Sequence, residues 1–211
     1  MKIYVTGLGV VSGIGLGVAE NIASLRKHQH GMRKVTLFPT ELDVPVSEVK
    51  YSNEELKRLL SLDIQKTFSR TALLGMLAAR EAVDDARLDL NTLRVGLISS
   101  TSVGGMDLSE HFYNAFKKDN RKRRLREVIS HDCGASTEMI ADYLKVNDFV
   151  TTISTACSSA ANAIMLGARM IRNDQLDAAI VGGTDALCKF TLNAVSYTHL
   201  RAHETELHIV C

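Results

Sequence analysis

Apolar positions in this chain follow two different periods. Short apolar or β-branched runs stand at Ile3-Tyr4-Val5, at residues 94–99 (RVGLIS), at 149–153 (FVTTI) and at 178–181 (AAIV). Each predicts a short strand. Between these runs, apolar residues recur every three to four positions. Val18, Ile22 and Leu25 predict a helix over 18–25. Ser52-Asn53-Glu54-Glu55 reads as a capping box that opens a short helix to Leu60. Leu73, Met76, Ala79, Val83 and Ala86 mark the stripe of an Ala-rich helix over 69–86. Further helices are predicted over 136–144 and over 158–172, the latter with Ala160, Ile164, Ala168 and Ile171 inward. Strands alternating with helices need crossover connections. The predicted fold class is therefore α/β, a mainly parallel sheet with helices on its faces.

Composition narrows the function classes. A chain of 211 residues is one large domain or a piece of something larger, and can bury about 70% of its unfolded surface. With 45% hydrophobic and 23% charged residues it is neither disordered nor collagen-like. A net charge of +1 excludes a global basic field for nucleic acid. Cys133, Cys157, Cys188 and Cys211 form no CxxC pair, so neither a zinc ribbon nor a secreted disulfide scaffold is indicated, and reduced thiols in the cytoplasm are expected. No apolar run is long enough to span a bilayer. Five glycines within the first 19 residues make a poor signal-peptide core, so no targeting segment is expected.

Three motifs invite chemistry and fail on spacing. Gly7, Gly9 and Gly13 give GxGxxxG, one residue longer than the dinucleotide fingerprint, with no acidic residue between Asn21 and Thr40 to hold a ribose. No nucleotide cofactor is expected; a tight strand-to-helix turn with close backbone packing is. His203-Glu204 and His208 are one position too far apart for two zinc ligands on one helix face, so no metal is expected. Residues 117–126 carry seven bases in ten positions. They read as a solvated surface or as a docking patch for an acidic partner. Phe112, Tyr113 and Phe116 precede the bases rather than interleave with them, which argues against nucleic acid.

The chemically informative stretch is TTISTACSSAANAI, residues 151–164. A β-branched strand turns sharply, presents Cys157 and enters an Ala-rich helix. Small neighbours permit a tight turn and leave the sulfur reachable. At a helix N-terminus the partial positive charge favours thiolate, and backbone N–H groups of the turn, that of Cys157 included, could hold an oxyanion. This is nucleophile-elbow logic carried by sulfur. A buried, inert thiol fits the local features equally well.

STACSSAANAI closely resembles the active-site segment of the β-ketoacyl-acyl-carrier-protein synthases, the condensing enzymes of fatty-acid and polyketide assembly. VTGLGVVSGIG (5–15) is similar to that family's opening strand and turn, with Gly13 where proline is common. SRTALLGMLAAREAVDDA (69–86), RVGLISSTSVGG (94–105) and AAIVGGTDAL (178–187) match three further landmarks in order. The resemblance implies a thiolase-like fold of two α/β halves, of which residues 1–195 would be most of the first. The tail, residues 196–211 (SYTHLRAHETELHIVC), breaks the pattern and resembles translated adapter sequence unrelated to the domain.

The resemblance further implies that Cys157 takes an acyl group from an acyl-carrier-protein thioester, and that a malonyl thioester loses CO₂ and attacks it. Val103 would line the acyl pocket, the strand 149–153 would pair across a homodimer two-fold, and the basic run would face the acidic carrier. The family's two histidines, lysine and Gly-Phe-Gly loop belong to the second half, and no residue here matches them. This chain is therefore expected not to condense by itself and to expose a face made for burial. The alternative is a non-condensing, acyl-binding partner subunit; such partners lack the cysteine, so Cys157 argues against it. Enzymes of the thiolase or initiating type, which use coenzyme A thioesters, place different residues around their cysteine.

Overall fold

Residues 1–10 form no strand, contrary to the expectation for Ile3-Tyr4-Val5. The computed structural model describes residues 1–119 and 126–195. A strand exists only through a ladder with a neighbouring backbone. Here two of the segment's donors go to side chains of a helix instead: Leu8 N–H donates to Asp85 (2.9 Å) and Val10 N–H to Glu81 (2.9 Å). Tyr4 and Val5 remain exposed. The close-packing role expected of the glycines does hold. A Cβ on Gly9 would stand 1.8 Å from the Ala78 carbonyl oxygen, so only glycine lets this segment lie on the helix.

The chain then makes a small antiparallel pair, β1 (Val11–Ser12) and β2 (Gly15–Leu16), which the sequence pattern does not announce. Helix α1 (Val18–Arg26) follows; its buried residue is Asn21, while Ile22 and Leu25 face outward. Helix α2 (Asn53–Leu59) has the predicted capping box, with Ser52 accepting from Glu55 N–H and Glu55 accepting from Ser52 N–H. Helix α3 (Arg70–Ala86) buries all of its first eight residues rather than one stripe.

Strand β3 (Val95–Ser100) is buried throughout and central. Helices α4 (Met106–Lys118), α5 (Arg126–Ile129) and α6 (Cys133–Leu144) lead to β4 (Phe149–Ile153). A one-turn 3₁₀ helix (Ala156–Ser158), α7 (Ser159–Arg172), β5 (Ala178–Val181) and α8 (Lys189–Val195) complete the described chain. The sheet order is β4-β3-β5, with both pairs parallel, in line with the mainly parallel sheet expected, so among the described residues β4 is an edge strand.

The period of two along β3 builds three layers. Val95 and Leu97 face a core with Leu73, Met76, Leu77, Ile140 and Leu144 of α3 and α6. Ile98 faces the other way, onto Ala163 and Met170 of α7 and onto Leu176. The inward face of α7 differs from expectation by one position: Ser159, Ala163, Gly167 and Met170 are buried, whereas Ala160 and Ile164 are exposed. The reason is distance. The helix lies so close to β5 that a Cβ on Gly167 would stand 2.5 Å from Val181 Cγ1, so small residues take the positions of closest approach, with Met170 further along the same face.

Candidate functional site

Three loops meet at the carboxyl ends of the parallel strands, where open α/β sheets bind ligands. The first leaves β3. Thr101 N–H donates to the Ile153 carbonyl at the end of β4 (3.3 Å), holding that loop to its neighbour. The second carries Cys157. The third leaves β5; its Thr184 N–H donates to the Ser100 carbonyl (2.9 Å), and a Cβ on Gly183 would touch both Ser100 Oγ and Ala160 Cβ.

Cys157 is exposed, as a nucleophile must be. It lies in the 3₁₀ turn Ala156–Ser158, so α7 begins two residues after it rather than at it. The preceding residue, Ala156, has φ 54°, in the left-handed region that is costly for an L-residue. Side chains lace the turn. Ser159 Oγ accepts from Thr155 N–H (2.7 Å) and donates to the Ala156 carbonyl (2.7 Å). Ser158 Oγ donates to the Thr155 carbonyl (2.8 Å), and Asn162 Nδ2 to Thr155 Oγ1 (2.9 Å).

Val103 is half-buried in the first loop, which Asp185 of the third loop organises. Asp185 accepts from Thr101 Oγ1 (2.7 Å) and Ser102 N–H (2.7 Å). Thr101 Oγ1 in turn accepts from Val103 N–H (3.2 Å) and Gly104 N–H (3.1 Å). Neither Asp185 nor Ser159 stands out in the sequence, because polar residues beside a glycine pair or a cysteine carry no signature of long-range pairing.

The cysteines divide by environment. Cys188 is buried, and that burial pushes its thiol up, away from thiolate. Cys133, at the start of α6, is partly exposed, with its sulfur 3.9 Å from Ser154 Oγ, so a second thiol borders the loop that leads to Cys157. No sequence spacing links residues 133 and 154. His131 Nδ1 pairs with Ser109 Oγ (2.8 Å). Among the described residues, no cluster of three or more His, Cys, Asp or Glu side chains is placed to hold a metal ion. Cys211, His203, Glu204, His208 and the tail lie outside the described residues, as do the bases at 121–124. Lys117 is described, and its Nζ sits 5.7 Å from the Tyr113 ring centre. Among the described residues, no helix is long and apolar enough to cross a membrane. An open cleft of about 580 Å³ lies between the N-terminal segment and α3, lined by Leu8, Val11, Leu16, Leu77 and Arg80 among others, and none of its lining residues belongs to the three loops.

The model of the family "Beta-ketoacyl synthase, N-terminal domain" matches residues 1–206. A 3-oxoacyl-[acyl-carrier-protein] synthase 2 of Coxiella burnetii is 28% identical in an alignment of 197 positions that covers 87% of this chain and 45% of that protein. One of Staphylococcus aureus is 26% identical in an alignment of 193 positions that covers 88% of this chain and 46% of that protein. This chain therefore spans about half the length of the curated relatives it matches. Among solved structures, the ishigamide ketosynthase/chain length factor matches with a TM-score of 0.83 and 29% identity, over 92% of this chain and 50% of that one. A ketosynthase with its chain length factor from Xenorhabdus doucetiae matches with a TM-score of 0.73; at 23% identity, over 92% of this chain and 50% of that one, it speaks for the fold alone.

Proposed function

We infer the function from one premise: the chain belongs to the β-ketoacyl synthase N-terminal domain family, and its fold is thiolase-like. The observation that carries the inference is the placement of Cys157, exposed in a laced turn at the carboxyl ends of the sheet. Cys157 is the nucleophile. Its sulfur attacks the carbonyl carbon of an acyl thioester, and the tetrahedral intermediate collapses by expelling the carrier's thiol. The acyl group passes from sulfur to sulfur, with the proton ending on the departing thiol. The Cys157 N–H is the proposed oxyanion donor.

Sulfur suits this task because thioester exchange is nearly isoenergetic and the acyl carbonyl stays electrophilic. In the parent protein the second stage is decarboxylative Claisen condensation with a malonyl thioester, in fatty-acid or polyketide-type synthesis. The groups that steady that carbanion are not matched in this chain, so the chain alone is expected to load acyl groups without condensing them.

The donor is an acyl-carrier protein, consistent with the relatives' names. The parent is a homodimer, for which β4 offers a sheet edge with no partner strand among the described residues, and it works in the cytoplasm without a cofactor. Val103, in the loop that Asp185 braces, lines the acyl pocket. The domain is taken as 1–195 and the tail 196–211 as unrelated to it. A non-condensing partner subunit is the second reading, because the similar ishigamide structure contains a chain length factor; Cys157 favours the first.

The donor distinguishes the reading from coenzyme A enzymes. Hexanoyl groups offered on carrier protein and on coenzyme A, at equal concentration, should load Cys157 faster from the carrier. Equal loading, or faster loading from coenzyme A, contradicts the proposed donor.

A further inference from the structure

Ala156 is held where alanine does not belong by itself. Its left-handed φ of 54° comes directly before Cys157, and an L-residue prefers negative φ by roughly 5- to 30-fold. Something must offset that preference, and the hydrogen bonds show what does. Ser159 is buried to 4% exposure, and its hydroxyl bonds two backbone groups on either side of Ala156's left-handed turn, the Thr155 N–H and the Ala156 carbonyl. Asn162, one turn further along α7, fixes Thr155 Oγ1 from the outside. Their hydrogen bonds go to the turn around the cysteine rather than to its sulfur.

We propose that Ser159 is a positioning residue for Cys157: its single hydroxyl locks Ala156 in the left-handed turn that presents the sulfur, with Asn162 as a second fastener. This rests on Cys157 being the acyl acceptor. Removing the Ser159 hydroxyl takes away the acceptor for the Thr155 N–H and one of the two donors to the Ala156 carbonyl, which keeps the Ser159 N–H, and so releases Ala156 toward negative φ. Only the fraction of molecules that keeps the turn then reacts, so the apparent rate falls with that fraction.

The test uses the 211-residue chain and a hexanoyl thioester of N-acetylcysteamine, following acyl mass on the Cys157 peptide. S159A is expected to slow acylation by roughly 5- to 30-fold. The double variant A156G/S159A is expected to regain the rate to within about twofold, because glycine adopts positive φ without penalty. Lost packing or general instability would not be rescued by a glycine next to the nucleophile. Iodoacetamide labelling of the buried Cys188, measured in the same samples, should stay at the wild-type level; a rise in S159A would attribute the loss to unfolding and overturn the proposal. An unchanged rate in S159A, or no rescue by A156G, overturns it as well. Failure of the wild-type chain to take any acyl group on Cys157 is a separate result: it overturns the acyl-acceptor reading, and this role with it.

Discussion

Replacing Gly167 with alanine adds one carbon where α7 rests on the sheet. Helix propensity alone favours alanine over glycine by about 1 kcal/mol in a helix interior. The packing opposes it. The new Cβ would stand 2.5 Å from Val181 Cγ1, 3.2 Å from Ala179 Cβ and 3.5 Å from Ile98 Cδ1. Carbon atoms prefer about 3.5–4.0 Å, so α7 must retreat or Val181 must leave its rotamer. Val181 is β-branched and held in the cluster with Ile98, Ala163, Met170 and Leu176, so it has little freedom to turn. Overpacking of this kind costs about 1–3 kcal/mol. The balance is a net loss of about 1 kcal/mol, or about 3 °C in Tm for a chain this size. Thermal unfolding followed by circular dichroism gives the sign directly. A161G, at an exposed site on the same helix, reports propensity without packing and should also lower Tm. If G167A raises Tm, propensity dominates, and the close approach of α7 to β5 is not what fixes its inward face.

Three further outcomes follow from specific contacts. Arg94 binds Asp174 and Asp177, both at 2.7 Å, and its hydrogen bonds to Asp177 hold that carboxyl at about 2. Because the folded value lies below the unfolded value of about 3.9, this stabilisation is complete above about pH 5 and is lost as pH falls through 2. The Tm gap between wild type and R94Q should therefore be constant above pH 5 and close on acidification; a gap that persists at pH 2 contradicts the assignment. D185A removes the acceptor for Thr101 Oγ1 and Ser102 N–H. Hydrogen exchange at residues 102–104 should accelerate about tenfold, as expected for about 1.4 kcal/mol of lost hydrogen bonding, and unchanged exchange would mean that Asp185 does not brace the Val103 loop. S52A breaks the capping box of α2 and should cost about 1 kcal/mol in urea unfolding; no change would show that α2 is held by Leu56 and Leu60 packing alone.

Local rules were enough for part of this fold. The Ser52 capping box, the α3 boundaries, and the strands β3, β4 and β5 depend on neighbours in sequence, and each forms where its pattern says, to within a residue. The failures depend on distant partners. Ile3-Tyr4-Val5 has strand composition, but its segment finds Asp85 and Glu81 instead of a ladder. On α7 the hydrophobicity pattern puts Ala160 and Ile164 inward, while the short distance to β5 selects Ala163 and Gly167; Ile171 does pack on the core. At the site, Cys157 was legible because a strand, small residues and a helix surround it in sequence. Ser159 and Asp185 were not, because their meaning lies in the backbone groups they hold. Val103 drew its assignment from family resemblance alone, and its loop acquires a physical anchor only through Thr101 and Asp185.

The most direct test of the central claim lets the cysteines compete within one sample. The purified chain is incubated with hexanoyl-acyl-carrier protein, digested under conditions that preserve thioesters, and mapped by tandem mass spectrometry. The account predicts hexanoyl mass on the Cys157 peptide, none on the peptides of partly exposed Cys133 or buried Cys188, and its loss in C157A. Acylation of Cys133 in preference to Cys157, or of no cysteine at all, would contradict it.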